Sequence, residues 1–135
     1  MNETQLGYEI KGAIYDTYFS LGPGLLEKTY QKALCYFLNK RGLKYQTELS
    51  VPVIIEGHNL GSDLRIDILV ENCYVLELKA VEEMRQLYHS QILTYMRLGH
   101  FHRGYLVNFN CEKIKDNIFP KVNGCFEKDK NKLQA

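Results

Sequence analysis

The sequence predicts an α/β fold in which helices cover both faces of a mixed β-sheet. Three observations support this prediction. Hydrophobic spacing along the chain changes in the order of two helical segments, three extended segments, one helical segment and one extended segment. A length of 135 residues fits a single domain that buries its own core. Hydrophobic residues at 45% and charged residues at 24% lie in the usual range for globular domains.

Two helices are predicted in the first third of the chain. The first spans 3–19, where the residues at helical spacing are Leu6, Ile10, Ala13, Ile14 and Thr17. It stops before 21–24, where a proline between two glycines disfavours a helix. The second spans 26–40, and Arg41-Gly42 supplies the basic last turn and the glycine that are typical of a helix end.

Three extended segments follow the helices. The segment 45–55 is rich in Val, Ile and Thr but contains Pro52, which predicts an edge position or a bend. The segments Leu64–Val70 and 74–80 flank a short polar turn, so they are predicted to form an antiparallel hairpin.

The remaining part of the chain predicts a helix and a buried strand. The helix spans 82–98, and the strand spans 104–109 as a continuous apolar run. The segment 114–122 predicts a weak strand or a turn. We therefore expect a single domain over 1–126 and a polar, lysine-rich tail over 127–135.

Composition also bounds the environment and the partners. No apolar run reaches the length of a membrane span, and the N-terminus lacks the pattern of a secretory signal, so we expect a cytoplasmic protein without a membrane partner. The four cysteines stand far apart without a C-x-x-C pair, which predicts thiols rather than a zinc site or disulfides. The formal net charge of +1 argues mildly against tight binding along a duplex, although acidic metal ligands can offset local basic residues.

Polar side chains on the predicted hairpin indicate a metal site. Strand alternation puts Asp67 on the face opposite Ile66 and Ile68, and it puts Glu77 and Lys79 on one face. A turn near residue 72 then sets the two carboxylates opposite each other, about 5 Å apart. Such carboxylates repel each other, and Mg²⁺ relieves the repulsion while leaving positions for water and phosphate. The Lys79 ammonium can orient the attacking water or stabilise charge on the phosphate.

The same residues have an alternative interpretation as a solvated sheet face with one ordinary Glu–Lys ion pair. One polar face is normal for an antiparallel sheet. However, the predicted helix order covers both faces, and charges beneath a helix layer need a partner or a function. The pattern therefore favours a site that hydrolyses phosphodiesters.

The third predicted helix adds a polar residue to this site. One stripe of the helix holds Met84, Tyr88, Gln91, Tyr95 and Leu98, so the Gln91 amide is expected among apolar and aromatic neighbours. A buried amide needs hydrogen-bond partners, and a cluster of carboxylates, ammonium and phosphate would supply them. The alternative is an amide satisfied by the backbone or by water.

Two further residues are candidates for the site. Glu27 lies on the inward side of the second helix and could hold a water molecule on the metal, or it simply interacts favourably with the helix dipole. His89 is interpreted as a phosphate contact or as a surface residue.

Four motifs together resemble a known family. Residues 24–30, GLLEKTY, fit G-x-x-E-x-x-Y, the motif that names the GxxExxY family. Asp67 followed by the sequence ELK at 77–79 fits the D…(D/E)-x-K core of the PD-(D/E)XK nuclease superfamily, in which that family is placed. Residues 91–95, QILTY, fit the Q-x-x-x-Y motif of its recombination-exonuclease branch, and 104–109 resemble the strand that typically follows.

The resemblance covers nearly the whole chain, roughly 6–122, with the motifs in order on the predicted elements. It implies a restriction-endonuclease-like fold, which is a three-layer α/β/α arrangement around a central mixed four-stranded sheet. One departure is Ile66, which stands where the nominal proline of the superfamily would precede the aspartate.

The resemblance also implies a set of site residues, namely Asp67, Glu77, Leu78, Lys79, Glu27, Gln91 and Tyr95. By position, the Asp67 and Glu77 carboxylates and the Leu78 carbonyl would bind Mg²⁺, for which Mn²⁺ could substitute. Lys79 would activate water, and Glu27 would support the metal through water. The two residues on the third helix would steady the site or the phosphate.

Three functional hypotheses follow from these observations. The first is a metal-dependent nuclease that hydrolyses nucleic acid, with DNA as the expected substrate. The second is a module that keeps the nuclease fold without turnover and binds nucleic acid or a protein partner. The third is a structural core with fortuitous charges, in which loss of Glu77 or Lys79 costs little or even stabilises the fold. The sequence leaves the strandedness of the substrate, the cleavage position and a homo-oligomeric state open.

Overall fold

The chain forms three layers around a mixed sheet in a computed structural model that describes residues 1–124. The five strands of the sheet are β1 (Tyr45–Val51), β4 (Leu64–Val70), β5 (Tyr74–Lys79), β6 (Arg103–Asn108) and β7 (Ile118–Val122), in that spatial order. A separate ribbon pairs β2 (Ile54–Ile55) with β3 (His58–Asn59). The helices are α1 (Glu3–Leu21), α2 (Glu27–Lys40) and α3 (Gln86–Gly99), and a short 3₁₀ helix spans Ile114–Asn117.

The strand pairing makes the sheet mixed. Strand β4 pairs antiparallel with both β1 and β5, and β6 pairs antiparallel with β7. Strands β5 and β6 are parallel because α3 carries the chain back across the sheet between them. The connection between β4 and β5 has three residues, 71–73. Glu71 and Asn72 have positive φ, and the Cys73 N–H donates to Val70 O at 3.0 Å, which closes a tight turn.

Two hydrophobic clusters fill the space between the layers. The first joins α1 and α2 to one face of the sheet, with Ile10, Leu34 and Leu76 fully buried at its centre. The second joins α3 to the other face through Ile92, Met96 and the strand residues around them. The predicted three-layer α/β/α class is therefore confirmed, and both faces of the sheet are covered.

The sheet has five strands, whereas the sequence predicts four. The additional strand is β7, which lies in the segment 114–122 that was predicted to be either a weak strand or a turn. It pairs with β6 at the edge of the sheet. Pro120 lies opposite Tyr105 in this strand, which is acceptable because an edge strand leaves one side of its backbone unpaired. The predicted interruption at Pro52 is also present, since β1 ends at Val51.

The third helix begins at Gln86, four residues later than the prediction of 82. The segment before it is held by Asn108, which follows the apolar part of β6. Its Oδ1 accepts a hydrogen bond from Val81 N–H at 3.1 Å, and its Nδ2 donates to Val81 O at 3.0 Å. These long-range bonds hold Val81 outside the helix, and residues 82–83 form a bend although glutamate favours a helix.

Regular alternation along β4 breaks at Asp67, which corrects the predicted two-face pattern. Ile66 packs in the cluster of α3, whereas Ile68 and Val70 pack in the cluster of α1 and α2. The neighbouring strand is irregular at the same level, because Glu48 has φ of 52°. The β1–β4 pairing is therefore irregular at this level, and Ile66 and Ile68, on either side of Asp67, pack on opposite faces of the sheet.

Three further expectations concern membrane spans, the cysteines and the C-terminal tail. No helix within 1–124 is both long and apolar enough to span a membrane. Cys35, Cys73 and Cys111 are free thiols. The predicted tail at 127–135 lies outside the described residues.

Candidate active site

Strands β4 and β5 pair over only part of their length. Their backbone pairs run from Val70 with Tyr74 to Ile68 with Leu76. Continued by one residue, this register sets Asp67 opposite Glu77, as predicted. Beyond that point β4 remains paired with β1 and β5 remains paired with β6, so the two strands part and open a gap in the sheet.

Two reciprocal hydrogen bonds replace the backbone ladder where the gap begins. The Asp67 N–H donates to Glu77 Oε1 at 3.0 Å, and the Leu78 N–H donates to Asp67 Oδ2 at 2.8 Å. Each bond occupies one oxygen of its carboxylate, so the second oxygen of each group is available to a ligand. The gap thus holds two carboxylates in a fixed mutual position.

Both carboxylates are costly to ionise in this position. Glu77 is only 8% exposed, and burial followed by the Asp67 charge raises its pKa. Burial also raises the pKa of Asp67, a shift that the hydrogen bond from Leu78 and the Lys79 charge oppose. A positive charge in the gap would stabilise both ionised groups.

Lys79 lies at the open end of β5, on the side of α3. Its Nζ stands 4.5 Å from the centroid of the Tyr88 ring, a cation–π contact that limits where the ammonium can move. Its charge lowers the pKa values of Asp67, Glu77 and Glu27 relative to what burial alone would produce. The ammonium is therefore close enough to act on all three carboxylates.

Glu27 approaches the gap from the other layer, in the first turn of α2. The residue as a whole is exposed, but its carboxyl group lies against the protein, and this desolvation raises its pKa. Lys79 opposes the shift and Glu48 adds to it. Glu27 therefore belongs electrostatically to the same cluster, as the sequence predicted.

Glu48 is a residue that the sequence prediction missed. The β1–β4 register places it opposite Asp67, and its charge raises the pKa values of Asp67 and Glu27. Lys28 Nζ lies 3.6 Å from its Oε1. Only the register between β1 and β4 reveals this neighbour, and that register depends on the long connection containing β2 and β3.

The two site candidates on α3, Gln91 and Tyr95, differ in how they relate to the carboxylates. Burial raises the pKa of the Tyr95 hydroxyl, and the Glu77 and Asp67 charges raise it further, so this hydroxyl belongs electrostatically to the cluster. Gln91 is half-buried and forms no hydrogen bond with either carboxylate, so the expected buried amide is wrong. The reason is that α3 buries Ile92 and Met96 as its core residues, which leaves Gln91 at the boundary of the face.

His89 is partly buried and contacts β7, and its role as a phosphate contact stays a prediction. Its Nδ1 lies 2.7 Å from Lys121 Nζ, and its ring packs edge-on against Phe119. Burial, followed by the Lys121 charge, lowers the pKa of His89, which favours the neutral imidazole beside the lysine. A surface groove of about 670 Å³ is also separate from the carboxylates, since α1 and the segment 112–115 line it.

The donor set fits a divalent cation such as Mg²⁺. It consists of the carboxylate oxygens of Asp67 and Glu77, and carboxylate oxygens are hard ligands that Mg²⁺ prefers. Within residues 1–124, no group of three or more His, Cys, Asp and Glu side chains is arranged to hold a metal ion. A site with two carboxylates would leave positions for water and phosphate, which is how Mg²⁺ commonly binds at phosphoryl-transfer sites.

Comparison with known proteins adds one positive finding. The family model described as the PD-(D/E)XK nuclease superfamily matches residues 4–119, which is most of the chain. This match includes every residue of the cluster. The searches of curated proteins and of solved structures found no match.

Proposed function

The chain belongs to the PD-(D/E)XK nuclease superfamily, and we propose that it is a Mg²⁺-dependent nuclease that hydrolyses phosphodiester bonds in DNA. The superfamily supports nuclease activity in general, and the metal and the substrate are our proposal. We also propose the GxxExxY family as its group, on the motif at 24–30. A cytoplasmic location is part of the same proposal, because the enzyme needs access to nucleic acid.

The observation that carries the proposal is the pair of carboxylates cross-linked at the gap between β4 and β5. Asp67 and Glu77 are each held by a backbone N–H, and Lys79 is held near them by Tyr88. An isolated ion pair on a solvated face needs neither the gap nor the burial. The geometry instead suits a site in which a cation and a phosphate join the cluster.

The metal would be held by Asp67, Glu77 and the Leu78 carbonyl, with Glu27 supporting it through water. When bound, Mg²⁺ would neutralise the carboxylates and polarise the phosphodiester. Lys79 then orients the attacking water and stabilises the charge that develops on the phosphate. The water oxygen bonds to phosphorus and gives up a proton to solvent, one ester P–O bond breaks, and the leaving oxygen takes up a proton from solvent.

The two candidates on α3 have supporting roles in this proposal. Tyr95 stays protonated because its pKa is raised, so its hydroxyl can donate a hydrogen bond to a phosphate oxygen. Gln91 lies half-buried one turn earlier on the same helix, where its amide can reach a phosphate without needing a protein partner.

The test is a cleavage assay with purified protein and end-labelled DNA and RNA, each single- and double-stranded. Each substrate is incubated with Mg²⁺, Mn²⁺ or EDTA, beside Glu77→Ala, Lys79→Ala and the exposed control Lys113→Ala. We expect metal-dependent cleavage of DNA that the first two substitutions abolish and the control retains. If the folded wild type cuts no substrate in either metal, the proposal is wrong.

A second candidate is a nuclease-fold module that binds nucleic acid or a protein without cutting. The specific observation in its favour is the formal net charge of +1, which is low for a protein that engages many phosphates. Binding of DNA without cleavage in Mg²⁺ or Mn²⁺ would favour this candidate. Glu77→Ala would then leave the affinity for DNA unchanged.

A further inference from the structure

The loop between α1 and α2, residues 22–26, leads directly into Glu27 and so determines its position. The sequence of this loop does little to hold the loop in one conformation. Gly22 and Gly24 have φ of 67° and 98°, so the loop uses the left-handed region twice within three residues. Helix α2 then begins without a side-chain cap, because its N-cap residue is Leu26. A contact other than a side-chain cap therefore holds the start of this helix.

Tyr30 supplies that contact. Its hydroxyl donates to Gly22 O at 2.6 Å and accepts from Leu25 N–H at 3.2 Å. One hydroxyl thus ties both ends of the loop, and the side chain is fully buried. Tyr30 stands three residues after Glu27, so the tie acts on the helical turn that carries the carboxylate.

The same side chain reaches the strand end that carries Lys79. The Tyr30 ring stacks on Phe109, with centroids 4.6 Å apart and planes inclined by 5°. The Phe109 N–H in turn donates to Lys79 O at 2.9 Å. A continuous set of contacts therefore joins the turn of Glu27 to the backbone of Lys79.

We propose that Tyr30 is a positioning residue whose hydroxyl holds Glu27 at the carboxylate cluster and thereby raises the affinity of the site for a divalent cation. This inference rests on the proposed function. Glu27 is attracted by Lys79 but repelled by Glu48 and Asp67, so its position depends on the backbone that carries it. Without the hydroxyl, Gly22 O and Leu25 N–H lose their partner and the loop loosens.

The test compares Tyr30→Phe with Tyr18→Phe in the full-length protein. Both substitutions remove the hydroxyl of a buried tyrosine that donates to a backbone carbonyl at 2.6 Å, but the Tyr18 hydroxyl bonds to Cys111 O and not to the loop before α2. Mn²⁺ affinity is measured by calorimetric titration. We expect Tyr30→Phe to weaken binding about tenfold, the lower end of the effect of groups that orient metal ligands. Tyr18→Phe should bind Mn²⁺ like the wild type.

A cycle with Glu27→Gln separates positioning from general destabilisation. If Tyr30 acts through Glu27, adding Tyr30→Phe to Glu27→Gln lowers Mn²⁺ affinity no further. A tenfold further loss in the double variant would contradict the proposal. Equal affinity of Tyr30→Phe and wild type, with both folded, would also overturn it.

Amide hydrogen exchange distinguishes failure of this inference from failure of the proposed function. We expect Tyr30→Phe to accelerate exchange at Leu25 and in the first turn of α2, with Tyr18→Phe leaving both unchanged. If the wild type binds no Mn²⁺, the proposed function fails, and the affinity effect of Tyr30 fails with it. Unchanged exchange in Tyr30→Phe would instead show that the hydroxyl does not position Glu27, whatever the wild type binds.

Discussion

The two halves of the β4–β5 pair differ in what their residues do. In the closed half the strands pair by backbone, and the side chains of Ile68, Leu76 and Val75 are fully buried in the two hydrophobic clusters. In the open half the strands part, and side-chain bonds of Asp67 and Glu77 take the place of the ladder. One hairpin thus contains an apolar part that stabilises the fold and a polar part whose buried carboxylates reduce its stability.

The difference teaches how a small domain can hold buried charge. The closed half and the flanking strands β1 and β6 fix the position of the open half. The carboxylates therefore do not have to stabilise the fold themselves. Backbone N–H groups, which the parted strands leave without ladder partners, then serve as donors to the carboxylates. This arrangement predicts opposite responses to substitution in the two halves.

The largest expected effect is on activity in the open half. Glu77→Gln keeps the acceptor for Asp67 N–H but removes a charge, so we expect cleavage to fall about a thousandfold, the scale of losing one electrostatic contribution to a transition state. The free energy of unfolding without metal should stay equal or rise, because burying an amide costs less than burying a charge. Cleavage rates and chemical denaturation in EDTA test both.

The exposed Glu83→Gln is the matched control for this variant, and it should change neither quantity. A Glu77→Gln protein that unfolds more easily and still cuts DNA would show that the carboxylate is a structural group. Retained cleavage would agree with the hypothesis of fortuitous charges. The loss of stability would not, because that hypothesis expects substitution of Glu77 to cost little.

The closed half should respond in the opposite sense. Leu76→Ala removes a fully buried side chain from the cluster of α1 and α2, so we expect the free energy of unfolding to fall by about 2–5 kcal/mol. Mn²⁺ affinity of the fraction that remains folded should stay near that of the wild type. Denaturation curves combined with titration at low temperature measure the two, and a tenfold loss of affinity would show that the halves are not separable.

The contrast also explains what the sequence could predict. Periodicity and turn signals predicted the three-layer class and the Asp67–Glu77 pairing, because a short hairpin has a register that its turn fixes. The long connection between β1 and β4 has no such constraint, so Glu48 was missed. The start of α3 was missed because Asn108, which is distant in sequence, holds Val81.

Gln91 shows a limit of a different kind. Helical spacing placed Gln91 on the stripe of Tyr88 and Tyr95, but the buried face of α3 is centred on Ile92 and Met96. Periodicity identifies a face without fixing its centre, and an error of one position changes a buried residue into a boundary one. The position of a site residue on a helix therefore depends on tertiary packing.

A moderate effect is expected from pH on the metal-free protein. The pKa values of Asp67 and Glu77 are raised by burial, so the native state holds protons more tightly than the unfolded state does. Stability in EDTA should therefore fall as pH rises from about 4, the ordinary carboxyl pKa, toward neutrality. Mg²⁺ should restore it increasingly at higher pH, because it binds the ionised groups. Melting temperatures from pH 5 to 8 test this, and Glu77→Gln should show a shallower decline.

The smallest effect is expected from the ring beside Lys79. Tyr88→Leu removes the cation–π contact at 4.5 Å and frees the ammonium to move, so we expect cleavage to fall about twofold to thirtyfold, the equivalent of about 0.5–2 kcal/mol. Tyr88→Phe keeps the ring face and should cut like the wild type, with both variants equally folded. If Tyr88→Phe loses as much activity as Tyr88→Leu, the hydroxyl and not the ring supports the site. The ammonium would then be held by the carboxylates alone, and the open half would need no help from α3.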